Sequence, residues 1–248
     1  QWRAEVEDAA PAPAPAAAGA PDAVSRGVAF ESEVYAFLQR MASAMGDVAE
    51  DVSRKKGATP RCKVGDAVLE LGPDSAAPGA RIVVEAKQDK SYDLKKALDE
   101  LDVARDNRKA DVGLFVWSRE SAGADIEVLG RYGASVVVQW DTEDEDSDLI
   151  LRAAVSLARA LCIRQNMPVG QQADIAELER AILVLEYEVG KMADIRKWAV
   201  TIESNSKKIR ESVDARSGKI SAEVDKLQEL LMSLRAGYGQ PELGTEVR

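Results

Sequence analysis

The stretch RIVVEAKQDK, from Arg81 to Lys90, decides how the rest of this chain is read. Its short β-branched apolar start, Arg81-Ile-Val-Val, ends abruptly in Glu85-Ala-Lys87. A buried strand therefore delivers a carboxylate and an ammonium at its end. Side chains two apart on a strand share a face, so Glu85 and Lys87 line one wall of a cleft. Upstream, Gly65-Asp66 opens an alternating strand from Val64 to Leu71 (VGDAVLEL) that can pair antiparallel with the first. That pairing brings Asp66 beside Glu85. Two carboxylates and a lysine converging there suit a hard divalent cation and a positioned water, the equipment of metal-assisted phosphodiester cleavage.

Composition narrows the chemistry further. The 248 residues hold one ordinary domain of roughly 150 residues plus an extension. There is no histidine, which removes Ser-His-Asp and Cys-His hydrolases and His-ligated metals together. Any catalysis must run on Asp, Glu, Lys, Arg, Tyr or Ser. Cys62 and Cys162 stand far apart in no paired spacing, so a reduced, cytoplasmic setting without zinc is expected. No run approaches the ~20 apolar residues of a membrane span, and no membrane partner is expected. The first residue is Gln1, residues 1–25 lack a signal-peptide core, and the chain as given may lack an upstream part. A net charge of −10 argues against non-specific coating of nucleic acid but leaves room for a local basic groove.

Working outward, residues 1–25 read as a disordered Ala/Pro-rich linker (PAPAPAAAGAPDA). From Gly27 to about Met45, Phe30, Val34, Phe37, Leu38, Met41 and Met45 recur at helical spacing, with Ser25 as a plausible N-cap and Gly46 as the stop. Asp47 to Ser53 reads as a first strand with Val48 and Val52 as its apolar positions. The loop RKKGATPRCK follows, where Arg54, Lys55, Lys56, Arg61 and Lys63 lie without an intervening acid. It is either a solvated charge run or an edge that contacts phosphates. After the two central strands, Asp93 caps a helix whose apolar face is Leu94, Ala97, Leu98, Leu101 and Ala104. Arg105 and Arg108 on this helix either reach phosphates or pair with Asp102 and Asp106.

Asp111 to Trp117 and Ser135 to Trp140 are apolar strands joined by loop or short helix. A helix crossing between apolar strands implies a βαβ crossover and a mixed, partly parallel sheet. The last helix of the domain runs from Ser147 to Arg164, buried at Leu149, Leu151, Ala154, Val155, Ala158 and Leu161, behind an acid run (Asp141 to Asp148) that suits its N-terminus better than a calcium loop. The domain is thus expected over 26–166. Beyond Pro168, apolar residues from Ile175 to Leu234 keep a heptad rhythm with a single stammer near Ile195. Residues 171–236 read as an oligomerising coiled coil, either one rod or a hairpin turning near Arg216 to Gly218, and 237–248 as a flexible tail.

Glu31 on the opening helix, Asp66 on the second strand and Glu85-Ala-Lys87 ending the third reproduce the motif order of the PD-(D/E)XK nuclease superfamily. The surrounding order resembles its restriction-endonuclease-like α-β-β-β-α-β core across roughly Gly27 to Arg164. GVAFESEV, RCKVGDAVLEL, VVEAKQDKSYDL and ARDNRKADVGLFVWS are similar to a bacterial group placed in that superfamily. A nuclease-type domain beside a coiled coil is also similar in layout to RmuC-type DNA recombination proteins. The resemblance implies that Asp66, Glu85 and the Ala86 carbonyl bind Mg²⁺ or Mn²⁺. It implies that Lys87 orients and helps deprotonate the attacking water, and that Glu31 supports a metal-bound water or a second metal. It further implies a nucleic-acid substrate, expected to be DNA. Arg54, Lys55, Lys56, Arg61, Lys63 and Arg108 are then the expected backbone contacts. The residue before the motif aspartate is Gly65 where proline is usual. The rival expectation is a non-cleaving module whose coiled coil serves as an oligomerising scaffold in DNA maintenance or defence.

Overall fold

The computed structural model describes residues 23–167 and 172–237. The expected linker before 23 and the tail beyond 237 lie outside them. Along the chain come α1 (Ala23–Met45), β1 (Val48–Asp51), β2 (Ala67–Glu70), β3 (Arg81–Lys87) and α2 (Leu94–Arg108). There follow β4 (Val112–Ser118), β5 (Leu129–Tyr132), β6 (Ser135–Trp140), α3 (Glu145–Asn166) and α4 (Gln172–Gly237). The fold is mixed α/β. Its six strands form one sheet in the order β1-β2-β3-β4-β6-β5.

The first three strands are the expected meander, antiparallel in register Asp51↔Ala67 and Ala67↔Val84. From β3 the chain crosses through α2 to β4, which lies parallel to β3, and β6 lies parallel to β4. Strand alternation sends Ile82, Val84 and Ala86 to one face, where α1 and α3 cover them with Phe30, Val34, Leu38, Leu151 and Val155. Val83 turns to the opposite face with Val68 and Ala104. On that side α2 also buries Ala97 and Leu101 against Phe115 and Trp117. Asp93 caps α2 by accepting from the Lys96 amide at 2.8 Å.

Several expectations shift. The helix α1 begins at Ala23, ahead of the expected start at Gly27, so Ser25 lies inside it rather than capping it. Val48 is exposed, and Val52 alone carries the apolar role expected of both. On α3, Leu149 faces solvent and Ile150 takes its place in the core. Between β4 and β6 the chain contains an edge strand, β5, where loop or helix was expected. Asp144 caps α3 and Glu145, Asp146 and Asp148 occupy its first turn, the acid placement a helix N-terminus favours.

The packing boundary also lies later than the composition shift. The first compact unit ends at Val189, and the second begins at Gly190. Leu178, Ile182, Leu185 and Val189 of α4 belong to the main apolar core. Arg131 Nε donates to Glu186 at 2.8 Å, and Arg164 pairs with Glu179. The early heptad positions are therefore spent on the domain itself. From Gly190 the helix continues through Arg216 to Gly218 without a break, which removes the hairpin alternative. Ile195, Ile202, Ile209, Val213, Leu227 and Leu231 of the second unit are exposed.

Candidate active site

The site forms where the start of β2 meets the end of β3. Asp66 is held by its backbone on both sides: its amide donates to Val84 O at 2.9 Å, and its carbonyl accepts from Val52 N at 2.9 Å. Its carboxylate Oδ2 accepts from the Ala86 amide at 2.9 Å, and it hydrogen-bonds to the Glu85 side chain. The antiparallel register thus brings Asp66 beside Glu85 as the two strand patterns require. Gly65 precedes it at φ +102, a conformation closed to proline, whose ring fixes φ near about −65°. A Cβ there would stand 2.8 Å from Arg108 Nε, and the Gly65 amide donates to Glu85 Oε1. Glycine at this position is a requirement of the packing.

Glu85 is only 3% exposed. Burial, then the negative charge of Asp66 and of Glu100, pushes its carboxyl up to about 9. Burial also raises Asp66, against the lowering effect of the Ala86 amide. At neutral pH the pair consequently keeps a proton between them, because two desolvated carboxylates in contact cannot both ionise alone. Lys87 lies two residues on. Burial by itself would lower its ammonium, but Glu100 and Glu85 more than offset this and hold it charged above its ordinary value. Its Nζ is 3.2 Å from Glu100 Oε1 and 4.7 Å from the centre of the Tyr92 ring. Held charged in this way, the ammonium is able to orient and to donate hydrogen bonds.

Glu31 projects from α1 into the same region. Its carboxyl is raised by burial and then by the charge of Asp66, while Lys87 lowers it. Two open clefts meet along Val28, Glu31 and Ala86. One, of about 640 Å³, is also walled by Arg26, Lys87 and Lys90. The other, of about 520 Å³, is walled by Tyr35, Arg54 and Asp66. Glu31, Asp66 and Lys87 therefore share one solvent-reached region, with Glu85 buried behind it. Among the described residues no three His, Cys, Asp or Glu side chains form a ready metal-holding group. The donors still fit a hard cation in kind. They are all oxygens, the donor type that hard cations take.

Comparison with protein-family models, with curated proteins and with solved structures finds no match. Assignment of chemistry therefore rests on the side chains themselves.

The basic loop divides. Arg54, Lys55, Lys56, Arg61 and Lys63 are exposed, and Lys55 pairs with Glu50 at 2.6 Å. Arg108 is different. It is 5% exposed, and its guanidinium donates to five main-chain carbonyls: Val64 at 2.9 Å, Lys55 at 3.0, Val52 at 2.9, Lys63 at 2.7 and Gly65 at 3.0. Asn107 assists, donating to Val64 O at 2.8 Å and accepting from Thr59 N at 3.1 Å. The expected phosphate contact at Arg108 is thus corrected to an internal pin that shapes the basic loop beside Asp66. Arg105 pairs with Asp102 at 3.5 Å, the structural alternative for that residue.

Sequence reasoning missed Glu100, Tyr92 and Asn107. Glu100 borders the buried positions Ala97, Leu101 and Ala104 on α2, so its half-buried place was available from the helical period. That it meets Lys87 was not.

Proposed function

We propose that this chain is a Mg²⁺- or Mn²⁺-dependent nucleic-acid phosphodiesterase of the PD-(D/E)XK type, acting on DNA. The observation that carries this reading is the hydrogen-bonded Asp66–Glu85 pair beside a charged Lys87, opening onto two clefts whose walls bear Arg54, Arg26 and Lys90. The order α1-β1-β2-β3-α2-β4 supports it as well, with Glu31 on α1, Asp66 just before β2, and Glu85 and Lys87 on β3.

Asp66 and Glu85, with the Ala86 carbonyl, are the groups to hold the cation. When bound, the cation supplies an acidified water and neutralises charge on the phosphate. Lys87 donates hydrogen bonds from its fixed ammonium toward the attacking water and the phosphate oxygens, which lowers the cost of the charge developing there. Glu31 stands across the cleft, its carboxyl raised, where it can accept from water approaching Asp66. Exposed Arg54, Lys55, Lys56, Arg61 and Lys63 provide backbone attraction that weakens with salt. The Asn107–Arg108 pin gives that loop a fixed shape.

The test is cleavage of a panel of single- and double-stranded DNA and RNA with Mn²⁺. Activity lost in both Asp66→Ala and Lys87→Ala supports the reading; a retained rate in both would sink it. A second reading is favoured by the exposed apolar seam from Ile195 to Leu234. In it the helix beyond Gly190 joins copies of the chain, and the domain binds without cutting. Light scattering on the chain with and without residues 190–237, beside the cleavage panel, separates the two.

A further inference from the structure

Lys87 is bracketed by two groups that the motif does not include. On one side stands Glu100, whose Oε1 lies 3.2 Å from Lys87 Nζ. On the other is the face of Tyr92, 4.7 Å from Nζ, itself tilted against Phe115 at 6.2 Å. The side chains of Lys87 and Glu100 are 23% and 21% exposed, so this pair is far better shielded from solvent than a surface bridge. Its frame is rigid. Ala97, Leu101 and Ala104, flanking Glu100 on α2, have no exposed surface, and Leu101 lies directly over Gly113 of β4. A Cβ at Gly113 would come within 3.1 Å of Leu101 Cδ2. Glycine there lets the helix settle close to the sheet and brings Glu100 within reach of the β3 end. The Tyr92 side chain also hydrogen-bonds to the Glu100 carboxylate, so the two groups that bracket Lys87 hold each other.

A half-shielded, charge-assisted pair on a fixed helix sets where the ammonium lies. Lys87 shares its strand face with Glu85, and the carboxylates of Glu85 and Asp66 are its alternative anions. An ammonium collapsed onto those two would compete with any cation they bind. From the ion pair, the fixed helix and the Tyr92 contact we infer that Glu100 is a positioning residue: it draws the Lys87 ammonium off the Asp66–Glu85 pair and fixes where it donates. This rests on the phosphodiesterase reading for its consequence, while the contact itself stands without it. Glu100 acts through Lys87 and need not touch substrate.

The experiment uses the full chain without added metal and follows hydrogen exchange at the Lys87 ammonium by ¹⁵Nζ NMR, the signal being identified by its loss in Lys87→Arg. In the wild type the ammonium protons are protected at neutral pH. In Glu100→Gln they exchange at least about tenfold faster, the share expected when a shielded, charge-assisted partner is lost, and Glu100→Asp lies between. Equal exchange in wild type and Glu100→Gln overturns the inference, whatever the protein cleaves. Single-turnover cleavage adds a second readout. Glu100→Gln should cut about 10²-fold more slowly at unchanged DNA affinity, the scale of a misplaced catalytic group. A wild type that cuts nothing rejects the proposed activity and leaves the exchange comparison to decide the Glu100 contact.

Discussion

Replacing Arg108 with alanine distinguishes an internal pin from a phosphate contact. The guanidinium serves five carbonyls. Those of Val52 and Gly65 are reached in fully buried bonds; the others border the exposed loop and can be rehydrated. Counting only the two buried bonds, at roughly 1.5–3 kcal/mol for a charged donor, gives a loss of about 3–6 kcal/mol. Relief of the guanidinium's own desolvation offsets part of it, so about 4 kcal/mol is expected. For a domain of this size each kcal/mol moves Tm by roughly 2–4 °C, which places the drop near about 10 °C. Lysine is a single point donor and cannot span the fork, so Arg108→Lys should recover no more than about half. Tryptophan fluorescence suits the assay, since Trp117 and Trp140 are buried in the sheet while the long helix dominates far-ultraviolet dichroism. A Tm unchanged within about 2 °C, with DNA affinity reduced, would refute the pin and restore the phosphate contact.

Three further outcomes follow from the same geometry. Glu85 has a folded pKa of about 9 against 4.5 unfolded, so its stabilisation is complete below pH 4.5 and is lost as pH rises toward 9. Without added metal, Tm should therefore fall between pH 6 and 9, with a shallower fall in Glu85→Gln; parallel slopes would contradict the shared proton. Asp47, whose side chain has no exposed surface, accepts from Arg159 at 2.8 Å and from the Gly72 amide at 2.9 Å. Asp47→Ala should cost about 3–5 kcal/mol by thermal melting, as when a buried pair loses one partner. Ending the chain after Val189 should leave the domain melting near its normal temperature, whereas ending it at 167 should lower Tm markedly, because Ile182 and Val189 are buried in the core. Equal Tm values for the two truncations would show that this helical segment contributes nothing to the fold.

The central sheet was legible because its strands are short, β-branched and buried, and β3 and β6 fall where the apolar runs stand. The Asp66–Glu85 juxtaposition was legible too, since register is specified where the alternation of two strands must bury one apolar face. The edge strand β5 was not, for Leu129-Gly-Arg-Tyr132 has neither alternation nor β-branched content and forms by pairing with β6. The heptad rhythm of α4 does not by itself state what covers its apolar positions. Its first turns are covered by the domain and its later positions are exposed. Arg108 was misread for a related reason: a cation near a basic loop looks the same in sequence whether it faces phosphate or carbonyl oxygens. Burial of Arg108 and its five carbonyl acceptors tell them apart.

Mn²⁺ binding by titration calorimetry bears most directly on the central claim. It would be run on the wild type and on Asp66→Ala with Glu85→Ala, each alone and with uncleavable phosphorothioate DNA. The account predicts binding in the wild type, with or without DNA, and none in the double variant. Failure of the wild type to bind Mn²⁺ even with DNA present, or equal binding in the double variant, would contradict it.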